Sequence, residues 1–187
     1  MKRLLLIAAA GVITVVGATV GGTIAPAAAG DGSLPDELRE VRAAVAHYHS
    51  FKQAENEGYS VAGEGCVASP PAPPAPSGGG TMGIHAVNMT LIDDPAIDPL
   101  RPEMLMYAPK ANGKLELVGI EYFRRAADQN PADGLDQSDK PSLFGRTFDG
   151  IMPGHAPWHG WHYDLHAWVA EANPSGVFAP FNPAISC

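Results

Sequence analysis

Leu38, Val41, Val45 and Tyr48 recur at helical spacing, so residues 34–56 predict an amphipathic helix. Ser33 suits its N-cap, Pro35 its first turn, and Asp36 and Glu37 the positive end of its dipole. Gly58 is the expected stop. His47 and His49 fall about 200° apart around such a helix, too far to serve one site. After residue 80 the period changes to two. Thr81–Ile92, Glu103–Pro109 and Lys114–Arg124 predict strands, with Asn112-Gly113 as a hairpin turn between the last two. Residues 93–102 hold three prolines and three aspartates and predict a loop. Residues 127–143 predict a second, acidic loop. Its Gly134 falls one place too late for a calcium loop, and no Glu closes it. Residues 161–170 are rich in aromatics and Val and follow Pro157 and Gly160, which predicts a strand rather than a helix. Val177–Cys187 adds turns and one short edge strand.

Two segments stand apart from this pattern. Lys2 and Arg3 precede an apolar run from Leu4 to Val20, and Ala27-Ala28-Ala29 follows. That order reads as a secretory signal cleaved after Ala29, leaving residues 30–187 as a single secreted domain. Residues 69–80, Ser-Pro-Pro-Ala-Pro-Pro-Ala-Pro-Ser-Gly-Gly-Gly, read as a stiff then flexible Pro/Gly-rich loop. No later segment is apolar over enough residues to span a bilayer, so no stable membrane span is expected after cleavage.

Composition narrows the function. The 187 residues carry 20 Asp and Glu against 12 Lys and Arg, and cleavage would remove two basic residues and no acidic one. Such a chain repels nucleic acid, which is not expected as a partner. Cys66 and Cys187 are the two cysteines, and in an oxidising compartment they should bond, tying the last residue to the end of the first helical segment. Closing so long a loop contributes ~4–5 kcal/mol in the chain-entropy picture. Gly-x-Ser-x-Gly and phosphate-loop motifs are absent from the sequence.

The candidate chemistry lies in the histidines. In the strand Gly83–Leu91, His85 points with Val87, Met89 and Leu91 to an apolar face. In Leu115–Phe123, Glu121 shares a face with Leu115, Leu117 and Phe123. A carboxylate there needs a proton, a metal or a cation, and His85 supplies one if the two strands are neighbours. As a strand, residues 161–170 place His162, Asp164 and His166 on one face with Trp168, the two His being ~13 Å apart along it. As a helix they would bring the two His one turn apart, but without the Glu that follows the first His in a zincin. His155 and His159 sit in a Gly/Pro loop able to fold over this face. The expected metal ligands are therefore drawn from His85, Glu121, His162 and His166, with Asp164 as a further ligand or as an acceptor behind one, for Zn, Cu or Fe. The competing expectation is a polar core in which His and carboxylate satisfy each other.

Several runs carry a resemblance. They are Met82-Gly83-Ile84-His85-Ala86-Val87-Asn88, Val118-Gly119-Ile120-Glu121-Tyr122-Phe123, Pro153-Gly154-His155, His162-Tyr163-Asp164-Leu165-His166-Ala167-Trp168 and Asn173-Pro174-Ser175-Gly176-Val177-Phe178. Through them the chain resembles a family of small exported bacterial proteins with no assigned activity. The likeness covers most of the chain after the signal and departs at Ala86, where relatives often have an aromatic. It implies export and no mechanism.

These observations predict an α+β fold: a long N-terminal helix on a curved, mainly antiparallel sheet, with one disulfide. A cupin-like β-barrel is the alternative, although its usual His-x-His within one strand is missing. The functional expectation is an extracytoplasmic domain whose His/carboxylate site binds a transition metal or small ligand. The alternatives are a non-catalytic envelope or interaction module and a metal-dependent enzyme.

Overall fold

A computed structural model describes residues 34–69 and 79–187. The signal segment expected over residues 1–29, Ser33 as N-cap, and most of the Pro/Gly-rich loop lie outside the described residues. The fold is α+β with a mainly antiparallel sheet and one disulfide. Helix α1 spans Asp36–Val45, a 3-10 turn covers Ala46–His49, and helix α2 spans Phe51–Asn56. The expected long helix is thus a short one that tightens and then breaks at Ser50, whose ψ of 104° is extended. The buried positions explain the break. From Val45 the inward residues are Tyr48, Phe51 and Ala54, in steps of three that suit a 3-10 period better than 3.6.

The sheet is built from β1 (Tyr59–Ala68), β2 (Thr81–Asn88), β3 (Met104–Pro109), β4 (Leu115–Arg125), β7 (Asp149–Met152) and β8 (His162–Ala167). Their order is β1-β2-β3-β4-β8-β7, and every neighbouring pair is antiparallel. The sheet is not closed, so it does not form the cupin-like barrel. Strands β5 (Ser142–Leu143) and β6 (Arg146–Thr147) make a separate hairpin. Residues 161–170 do contain the expected strand. Four expectations change. β1 is a strand where no element was expected, so Cys66 lies in a strand and not at a helix end. The strand from Thr81 ends at Asn88, whose side chain accepts from Thr90 N and starts helix α3 (Met89–Ile92). β5, β6 and β7 occupy Gly-rich sequence with weak alternation. The C-terminal edge strand is reduced to a single bridge between Thr81 and Asn182.

The two sheet faces differ in kind. The helical stripe Leu38, Val41, Val45 and Tyr48 is buried, as expected, against Leu105, Tyr107, Ile120, Tyr122 and Leu165. Burying each such side chain contributes about 1.5–3 kcal/mol before chain entropy is counted. The opposite face carries Val87, Met104 and Phe123 in one apolar cluster and Met106, Val118 and Trp168 in another. The His and carboxylate side chains lie among these. A bulge sets which residues face which way. Met106 pairs with Gly119 but Tyr107 pairs with Leu117, leaving Val118 extra. Leu115 and Leu117 therefore turn to the helix side, and Glu121 does not share their face.

Candidate metal centre

Three strands deliver three side chains to one point. Glu121 on β4 pairs directly with Met104 on β3 and with His166 on β8. His85 on β2 pairs with Met106, so β3 lies between His85 and Glu121. The two strands are not neighbours, and the His85 ring reaches across β3 instead. Its Nε2 is 3.0 Å from Glu121 Oε2, and His166 Nε2 is 3.5 Å from the same oxygen. All three residues are buried, and their ligand-capable atoms lie within 4.8 Å of one another. Two ligands on one ion with bonds of about 2.1 Å stand about 3.0–3.4 Å apart, for octahedral and tetrahedral angles respectively. The 3.0 Å spacing falls in that range and the 3.5 Å spacing lies just above it.

The hydrogen bonding around these rings is unusual. Neither nitrogen of His85 nor of His166 has a hydrogen-bond partner among the described residues. The 3.0 Å approach of His85 to Glu121 is close but not aligned as a hydrogen bond. A buried polar atom left without a partner costs about 1–3 kcal/mol, and a metal ion or ordered water could satisfy these four. Asp164 Oδ1 stands 3.9 Å from His166 Nδ1, on the far side of that ring from Glu121.

Electrostatics separate the histidines. Burial opposes charge on His85, yet the Glu121 carboxylate beside it raises its pKa. Burial also works against the Glu121 carboxylate, but His166 and His85 hold it below the usual range. Burial lowers His166 and His162, with Glu121 opposing in both cases. Asp164 is raised well above the usual range by burial and by Glu121 and Asp149.

His162 belongs elsewhere. It lies on the same strand face as Asp164 and His166, as the spacing predicted, but its ring stacks on Phe123 at 4.8 Å and its Nδ1 is 3.1 Å from the Gly160 carbonyl. The loop histidines form a second group with Glu64 of β1, which the sequence reading missed. His155 Nδ1 is 3.1 Å from Glu64 Oε2, and His159 Nε2 is 3.4 Å from Glu64 Oε1. In this group His159 Nδ1 accepts from the His155 N–H at 3.2 Å. A neutral His159 then keeps its proton on Nε2, facing Glu64, and offers that carboxylate a donor rather than offering an ion a lone pair. Burial, with His155 and His162 close by, lowers His159 to about 4. Glu64 was legible in principle: Ala62, Glu64 and Cys66 alternate along β1, but Gly63 and Gly65 between them hide the strand.

Both groups border one cavity of about 650 Å³. Met82, Met104, Phe123, Trp158 and Phe181 give it apolar walls, and His85 and Glu121 lie at its floor. The Trp158 loop is fastened over it by Arg125, whose Nε donates to the Trp158 carbonyl at 3.0 Å. Cys66 and Cys187 are bonded, which holds the C-terminal segment with Pro180 and Phe181 against the β1 side of the cavity. Among the described residues no helix is long and apolar enough to cross a membrane. No family model matches the chain, and neither a curated protein nor a solved structure shows significant similarity to it.

Proposed function

We propose that this chain is an extracytoplasmic domain that holds one transition metal ion on His85, Glu121 and His166. The observation that carries this reading is the convergence of two buried imidazoles, without hydrogen-bond partners, on one carboxylate oxygen at metal-ligand spacing. Two His and one carboxylate suit Zn or Fe(II) and leave coordination positions for a further ligand from the cavity. Asp164 stands beside the outer nitrogen of His166, where a carboxylate orients a metal-bound imidazole. Cu remains within the range of ions that imidazole accepts. The Cys66–Cys187 bond supports an oxidising compartment.

The rival reading is a charged His85–Glu121 pair serving only the core. It leaves both ring nitrogens of the buried His166 without a hydrogen-bond partner. Elemental analysis of tag-free oxidised protein separates the two. The metal reading expects about one Zn, Cu or Fe per chain, lost in His166→Ala and Glu121→Gln but retained in His155→Ala. Metal-free protein that takes up none of the three ions, with both variants merely less stable, overturns it.

A further inference from the structure

We propose that the cavity above the metal centre admits a small, mainly hydrocarbon molecule with an N–H or O–H donor head and no negative charge. The inference takes the cavity floor to be the metal centre argued above. Its volume of about 650 Å³ lies within the range, about 300–1,000 Å³, that holds small organic ligands. Phe123 and Trp158 supply aromatic wall, and Met82 and Met104 supply thioether wall.

Apart from the histidines His85, His155, His159 and His162, the titratable side chains facing the cavity have one sign. Glu64, Glu121, Asp149 and Asp164 all border it, and neither Lys nor Arg does among the described residues. Residues 70–78, which follow the wall residues Val67 and Ala68, contain no charged side chain. Arg125 underlies the Trp158 loop, but its guanidinium is taken up by the Trp158 carbonyl and by Asp93, at 3.0 and 2.8 Å. With a divalent ion in place the carboxylates still outnumber its charge, even with Asp164 protonated. An anionic head therefore meets net repulsion from the lining, and away from the ion itself no guanidinium or ammonium receives it. A donor head meets the reverse. Glu64 Oε1 has His159 Nε2 at 3.4 Å but no aligned hydrogen bond, so it keeps acceptor capacity in the wall for a ligand N–H or O–H.

Three probes sharing one ring system and differing in head charge test this: tryptophol, tryptamine and indole-3-acetate. Each is titrated calorimetrically into full-length oxidised protein whose zinc content has been measured. Tryptophol and tryptamine should bind, with indole-3-acetate at least tenfold weaker. Glu64→Gln should weaken tryptamine at least threefold while leaving the zinc content unchanged. Indole-3-acetate binding as tightly as tryptophol, or zinc-loaded protein that binds none of the three, overturns the proposal. The same charge preference in protein that takes up none of Zn, Cu and Fe would uphold the preference for a donor head and refute the metal reading.

Discussion

Glu103 shows how much a single buried carboxyl governs here. It is 1% exposed, and its Oε2 accepts from the Phe123 N–H at 3.0 Å. Burial, with Glu121 and Asp98 adding to it and the Phe123 N–H opposing, pushes it up to about 8 from 4.5. The folded state therefore favours the protonated acid. That contribution is fully present below about pH 4.5 and is lost as pH rises through about 8. Glu103→Gln keeps an acceptor for Phe123 and removes the titration. Its unfolding free energy should fall less between pH 5 and pH 9 than that of the parent, leaving the variant more stable by roughly 1–3 kcal/mol at pH 9. Urea melts at the two pH values check this, and parallel curves for the two proteins would count against it. The same scale holds the legible part of the site. His85 and Glu121 could be picked out as polar residues among apolar neighbours of an alternating run, and His166 as a member of the polar row His162, Asp164, His166. His162 fits that pattern equally well, yet it stacks on Phe123. Alternation gives a side chain's face and not the direction of its ring.

At the scale of elements, the β4 bulge decides what the strand face contains. It turns Leu117 toward the helices and sets Gly119 between Met106 and β8. A Cβ on Gly119 would stand 2.5 Å from the Met106 methyl and 2.9 Å from the Ala167 carbonyl oxygen. The methyl can move and the strand carbonyl cannot, so Gly119→Val should cost about 1–3 kcal/mol. Because His166 is next to Ala167, the variant should also hold less metal than the parent, whereas Gly113→Ala in the β3–β4 turn should leave metal content unchanged. Equal metal content in Gly119→Val and parent would mean that the bulge does not position His166. Strong alternation made β2, β3, β4 and β8 visible in the sequence, and Asn112-Gly113 revealed their hairpin. The bulge was invisible because nothing in the run Leu115–Phe123 marks Val118 as the extra residue. β1 and β7 were hidden by their glycines. With them went Glu64 and the β1 wall of the cavity.

At the scale of the whole molecule, the disulfide joins residues 121 apart and closes the chain from Cys66 to Cys187 into one loop. Its loss in Cys66→Ser/Cys187→Ser should cost roughly 4–5 kcal/mol in the chain-entropy picture and lower Tm by roughly 10–20 °C. The three proposed ligands sit on β2, β4 and β8, inside the hydrogen-bonded sheet. The double variant should therefore keep its metal at temperatures where it stays folded, while the wall at Pro180 and Phe181 loosens and probe binding weakens. Parallel loss of metal and probe would tie the centre to the disulfide instead. The helical stripe, the antiparallel sheet and the Cys pairing were readable, because burial sets the period of apolar residues and the sequence holds a single cysteine pair. Convergence of side chains from β2, β4 and β8 depends on strand order, which alternation alone does not encode. The most direct test of the metal centre is anomalous diffraction at the absorption edge of the ion found by elemental analysis. The account predicts one strong peak about 2.0–2.2 Å from the Nε2 atoms of His85 and His166 and from a Glu121 oxygen. No peak there, or a peak only among Glu64, His155 and His159, would contradict it.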